Sequence, residues 1–172
     1  MNKGIIIIGT SGSGKTWTGK TLSKLCNIPI FHMDQIWWEP GNFNRVRSVQ
    51  NIEKDMENIV CQKEWILEGV FGMIAEKAAP FATHLLWLNL TWHDCRTNIM
   101  ARGPQFSQPS TIEEQNIALE NLIEWASTHY SRDEKNSEKF FKDIFNEFSH
   151  EKICIYNRDQ VKEYLQIFTK NK

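Results

Sequence analysis

Between four consecutive isoleucines, Ile5 to Ile8, and a helical pattern that opens at Lys15 stands Gly9-Thr-Ser-Gly-Ser-Gly-Lys-Thr16, a complete G-x-x-x-x-G-K-[ST] pattern. Its glycines let the backbone curl so that successive amide N–H groups point inward, and the following helix adds the positive end of its dipole. Such a loop holds a polyphosphate, and it does so at the junction of a strand and a helix. The stretch Lys3 to Ile8 supplies the strand, being β-branched, apolar, too short for a core helix and stopped by glycine. A strand that apolar is buried on both faces, which is the pattern of a parallel sheet.

The rest of the chain keeps alternating. Helix is predicted from Lys15 to about Leu25 and strand from Ile28 to Met33, with Pro29 near the strand start. A turn at Glu39-Pro-Gly-Asn leads into a polar helical segment from about Val46 to Gln62, and Trp65 to Gly69 forms a third strand. Met73 to Ala79 reads as a short helix ended by Pro80, Thr83 to Leu90 as a fourth strand, and Trp92 to Ala101 as a helix. The stretch Arg102-Gly-Pro-Gln-Phe-Ser-Gln-Pro-Ser breaks the pattern before helices at about Thr111 to His129 and Glu134 to Ser149. Lys152 to Tyr156 is a fifth strand, and Asp159 to Phe168 a closing helix with Val161, Leu165 and Phe168 on one face. Strands joined by crossover helices require a mainly parallel sheet covered on both sides, so the expected fold is a three-layer α/β/α sandwich.

At 172 residues, residues 1–172 are expected to form one domain. Twenty basic residues nearly cancel 21 acidic ones, so no global positive field exists to gather nucleic acid, and none is expected as a direct ligand. No apolar run approaches the roughly 20 residues of a membrane span, and Met1-Asn-Lys-Gly leads straight into a strand instead of a signal peptide; a cytoplasmic protein without a membrane partner is expected. Cys26, Cys61, Cys95 and Cys154 are scattered beside apolar stretches without metal spacing and read as buried thiols. The five histidines are equally dispersed, and no zinc site is expected.

The candidate site starts from the loop. Gly9, Thr10, Ser11, Gly12, Ser13, Gly14, Lys15 and Thr16 would bind ATP, with Lys15 reaching the β- and γ-oxygens and the Thr16 hydroxyl taking a position on Mg²⁺. Asp34 follows the second strand at the carboxyl edge of the sheet, where it can orient an acceptor hydroxyl or a Mg²⁺-bound water, or simply cap the next turn. Glu68 ends the third strand and would accept from the waters on magnesium, the alternative being a solvated strand-end charge. Asn98 and Arg102 share a helix face, whereas Arg96 lies about 240° around the axis from Arg102. Arg102, beside the break, is the better clamp for the transferring phosphoryl group, with Arg96 and Arg132 in reserve. Trp37 and Trp38 either wall an acceptor pocket by stacking or belong to the core.

The phosphate loop, the FHMDQIWWEPGNF, EWILEGVFG and LLWLNLTWHDCRTNIMARGPQ segments and the terminal ICIYNRDQVKEYL together resemble adenylate-kinase-like P-loop proteins. The FlaR-type subgroup, often called DNA topology modulation proteins, is the nearest in look, since His32, Asp34, Trp38, Pro40 and Gly41 match its H-x-D and W-x-P-G pattern. The resemblance implies the nucleoside monophosphate kinase plan: a five-stranded parallel sheet in the order 2-3-1-4-5, an acceptor-binding helical insertion at about 35–64, and a lid at about 102–135. It also implies that Asn157 and Arg158 lie by the adenine. The chain departs from that plan at three places. Glu68-Gly69 replaces Asp-Gly, no arginine occurs at Val70-Phe71-Gly72, and Asn98 stands where a lid arginine is expected.

The function expected is transfer of the ATP γ-phosphoryl group to a small acceptor, nucleoside- or nucleotide-like by analogy, with ATP and Mg²⁺ required and the chain a monomer or homodimer. The rivals are an ATP-dependent regulator with little transferase activity, and a plain ATPase.

Overall fold

The four isoleucines form the centre of the sheet. In the computed structural model, which describes residues 3–103 and 111–169, strand β1 (Lys3–Gly9) pairs in parallel with β5 (Glu64–Gly69) on one side and β6 (His84–Leu88) on the other. Strand β2 (Ile30–His32) adds to β5, and β7 (Glu151–Ile155) adds to β6. The order is β2-β5-β1-β6-β7. Counted along this sheet alone, that is 2-3-1-4-5, as the resemblance implied.

Alternation along β1 divides the core. Ile5 and Ile7 face a cluster with Leu22, Ile66, Leu86 and Val161, which come from the sheet and from helices α1 (Lys15–Cys26) and α8 (Arg158–Thr169). Ile6 and Ile8 face the opposite cluster, filled by Ile52, Met56, Ile74, Phe141 and Ile144 of α3 (Val49–Val60), α4 (Gly72–Ala78) and α7 (Glu138–Glu147). Full burial of each isoleucine contributes about 1.5–3 kcal/mol, so β1 anchors both layers and fixes the loop at its carboxyl end. The three layers of the expected sandwich are present.

Two elements depart from the sequence reading. Met33–Trp37 forms a short helix, α2, directly after β2. The turn at Glu39 to Asn42 closes a small antiparallel hairpin, β3 (Trp38–Glu39) with β4 (Asn42–Val46), and Gly41 takes the positive φ of 74° that the turn requires. The helix predicted from Val46 therefore starts at Val49, capped by the Ser48 hydroxyl, which accepts from the Asn51 N–H.

Beyond the fourth sheet strand, α5 (Trp92–Arg102) is capped by Thr91. Helix α6 (Ile112–Ser127) begins with a capping box between Thr111 and Glu114. Most of the intervening stretch, residues 104–110 of the expected lid, lies outside the described residues. The cysteines also differ from expectation: Cys95 is buried, Cys26 and Cys154 are partly buried, and Cys61 is exposed because it lies just past the end of α3.

Candidate active site

Gly9 to Thr16 forms the loop between β1 and α1 that the pattern required. Two of its glycines hold conformations that a side chain resists. Gly12 has φ of 81°, and a Cβ there would fall 2.3 Å from the Cys95 carbonyl oxygen; Gly14, at φ 92°, caps α1. The loop is also braced from α5, where the Asn98 side-chain N–H donates to the Gly12 carbonyl at 2.7 Å. Asn98 thus supports the loop at the position where an arginine was expected.

Lys15 is buried and donates from Nζ to the Thr10 carbonyl at 2.9 Å. Burial lowers its pKa, while Glu68 and Asp34 oppose that shift and Arg102 adds to it. The hydroxyls of Thr10 and Ser13 are buried with no hydrogen-bond partner. Orphaned buried donors beside a sequestered lysine suit an anion that accepts from all three.

The Thr16 hydroxyl donates to Glu68, 3.1 Å to Oε1 and 3.2 Å to Oε2. Parallel pairing places His32 of β2 opposite Glu68 of β5, and the His32 ring Nδ1 bonds the same carboxylate. Glu68 is 2% exposed. Burial alone would raise its pKa, yet the His32 bond, the Lys15 charge and the Thr16 bond together hold the carboxyl below the ordinary glutamate range. With its proton directed at Glu68, the Thr16 oxygen keeps lone pairs for a hard cation, and Glu68 is placed to accept from that cation's waters. These residues fit Mg²⁺ carried in with a polyphosphate.

Asp34 lies in the first turn of α2, open to solvent yet crowded by protein, and the crowding raises its pKa despite the pull of Lys15. The charge of Asp34 also acts on Arg102 at the end of α5, which lines the mouth of the loop. Arg96 is exposed on α5 and does not line that mouth. Arg132 lies over the Trp125 ring at 4.1 Å with Nε and one terminal nitrogen buried and unbonded. Asn157 caps α8, its side-chain oxygen accepting from the Gln160 N–H, and Arg158 lines the pocket beside the loop.

Trp37 stacks on Phe71 at 4.9 Å and meets Trp38 edge-on, so this aromatic group packs against the core beside Asp34. Arg47 is occupied elsewhere, donating to the Gln35 and Ile36 carbonyls at the end of α2 and pairing with Asp55 at 2.6 Å. The pocket itself measures about 620 Å³ and runs from Gly12–Thr16 along α1 to α8.

Sequence reasoning missed His32 as the partner of Glu68, Asn98 as a brace, and Trp17 as a pocket wall. His32 was marked by its distance of two residues from Asp34 at a strand end, although its partner depends on strand register.

Solved structures that share this architecture include several kinases. A shikimate kinase from Acinetobacter baumannii, in complex with shikimate, superimposes with a TM-score of 0.56 over 100% of this chain and 96% of that one, at 16% identity. A gluconokinase from Sinorhizobium meliloti 1021 gives 0.58 over 98% and 93%, at 14% identity. A sugar kinase from Janibacter, solved without ligand, gives 0.54 over 99% and 95%, at 10% identity. This chain shares their α/β fold. No protein-family model matches it, and no curated protein sequence does either. Among the described residues no helix is long and apolar enough to cross a membrane.

Proposed function

We propose that the chain is an ATP- and Mg²⁺-dependent phosphotransferase that moves the γ-phosphoryl group of ATP onto a hydroxyl of a small acceptor. The observation that carries this reading is a phosphate loop whose pocket is lined by Lys15 and Arg102, both within the electrostatic reach of Asp34, and whose Thr16 is bonded to Glu68.

Loop amides, the Ser13 and Thr10 hydroxyls and Lys15 would hold the phosphates, and Thr16 with Glu68 would hold the metal. Bound Mg²⁺ supplies charge neutralisation on the phosphoryl oxygens. Asp34 accepts a hydrogen bond from the acceptor hydroxyl and takes its proton as the oxygen attacks; its raised pKa suits that role. Arg102 adds positive charge beside the transferring group. Positioning and fixed charge are the catalytic contributions, with no covalent enzyme intermediate.

Two features refine the acceptor. Shikimate kinase, gluconokinase and sugar kinase neighbours are named for acceptors bearing hydroxyls. Here Val70, Phe71 and Gly72 occupy the place of an expected arginine, and Phe71 packs with Trp37 and Trp38. With this apolar cluster beside Asp34 in place of an arginine, a hydroxylated acceptor of low charge, such as a nucleoside or sugar, is favoured over a nucleotide. The same lack of phosphate-gripping arginines supports the second reading, an ATP-binding regulator with little or no transferase activity. A plain ATPase is less well supported, because Glu68 is enclosed and engaged by Thr16 and His32.

Asp34→Asn tests the assignment. The variant should bind MgATP as the wild type does and lose acceptor-dependent ADP release by about 100-fold or more. Unchanged turnover would remove Asp34 from the mechanism.

A further inference from the structure

The first turn of α1 places three successive side chains in different surroundings. Thr16 bonds Glu68, and Thr18 is buried with its hydroxyl on the Gly14 carbonyl. Trp17, between them, turns outward and is 58% exposed, with no aromatic, cationic or hydrogen-bonding partner for its indole among the described residues. An indole left open is costly in water, and stacking is the interaction its face offers.

Trp17 is not stranded on a convex surface. It lines the pocket that starts at the phosphate loop and continues between α1 and α8, with Lys20 on the same face of α1 and Arg158 and Val161 across the cleft. Phosphates seated at Gly12 to Thr16 leave the remainder of a nucleotide to extend along this cleft. We infer that Trp17 is the stacking platform for the nucleotide base, with the Arg158 guanidinium as the facing group. The inference rests on the reading of Gly9 to Thr16 as the site of the ATP phosphates and adds Trp17 as the side chain on which the base stacks. Thr16 and Glu68 serve the phosphate end, so Trp17 would contribute affinity for the base alone.

Binding of two probes separates these claims: MgATP, and magnesium tripolyphosphate, which has no base. Trp17→Ala should weaken MgATP by about tenfold, the usual scale of base stacking, and leave tripolyphosphate unchanged, while Trp17→Phe stays near wild type for both. In addition, MgATP should quench wild-type tryptophan emission by an increment that Trp17→Phe lacks. Equal MgATP affinity in wild type and Trp17→Ala, or equal weakening of both probes, would overturn the stacking role while leaving the phosphate site intact. Failure of the wild type to bind either probe would overturn the phosphate-site reading itself. Because the side chain is largely exposed, thermal unfolding of Trp17→Ala should match the wild type; if that variant does not fold, the emission comparison with Trp17→Phe decides.

Discussion

Replacing Glu68 by glutamine separates the stability of the site from its use. The amide keeps the shape of the carboxylate but removes its charge from the bonds made by Thr16 and His32. A hydrogen bond to a charged acceptor is worth roughly 1 kcal/mol more than its neutral counterpart, so two such bonds lose about 2 kcal/mol. Glu68 is 2% exposed, and relief from burying a charge offsets part of that loss. A net cost of about 1 kcal/mol lowers Tm by roughly 2–4 °C in a chain of this size. The difference should shrink on acidification: the depressed wild-type pKa contributes stability above the unfolded glutamate value and loses it as pH falls through the folded value. Function should respond far more. A group that orients a metal ligand typically changes metal affinity 10- to 100-fold, so the Mg²⁺ concentration for half-maximal nucleotide binding should rise by about that factor. Calorimetric titration of ATP at graded Mg²⁺ reads this directly, with Mg²⁺-free ATP as the control. A variant with wild-type Mg²⁺ dependence and turnover would refute the role given to Glu68.

Other perturbations follow from the same geometry. Lys15→Ala removes the buried phosphate cation and should preserve the fold by circular dichroism while lowering MgATP affinity or turnover at least about 100-fold. Asp34→Asn should raise Tm at neutral pH, since a raised carboxyl pKa means stability is lost as pH climbs through it; the gain should disappear below the unfolded aspartate range, as thermal melts across pH would show. His129 is buried with Nδ1 against the Asn136 carbonyl at 2.8 Å, and burial drives its pKa down to about 4 from an ordinary 6.5. The unfolded chain binds that proton first, so stability should fall by up to roughly 3 kcal/mol as pH drops through this window. Denaturant titrations should show that slope, and His129→Gln should flatten it.

The elements legible in the sequence are those whose signal is local. Four isoleucines halted by glycine specify a doubly buried strand, and the G-x-x-x-x-G-K-T spacing places Lys15 and Thr16 at a helix start without reference to any other part of the chain. The β3–β4 hairpin was hidden because Trp38–Glu39 is too short to display alternation, so Pro40-Gly41 read only as a turn. The Glu68–His32 contact depends on the register of two strands 36 positions apart, and register follows from which faces the whole sheet buries. Asn98 likewise reached the loop only because α5 packs its Cys95 and Ile99 against Gly12. Arg96 and Arg102 could be told apart beforehand by helical angle, and the structure places Arg96 in solvent and Arg102 at the pocket.

The most direct test of phosphotransfer is ADP release from MgATP with a panel of nucleosides, sugars, nucleoside monophosphates and other hydroxylated metabolites, against an acceptor-free control. Release should require an acceptor, be strongest with a neutral hydroxylated one, and be accompanied by a phosphorylated product. Release independent of every acceptor, or none despite tight MgATP binding, would contradict phosphotransfer.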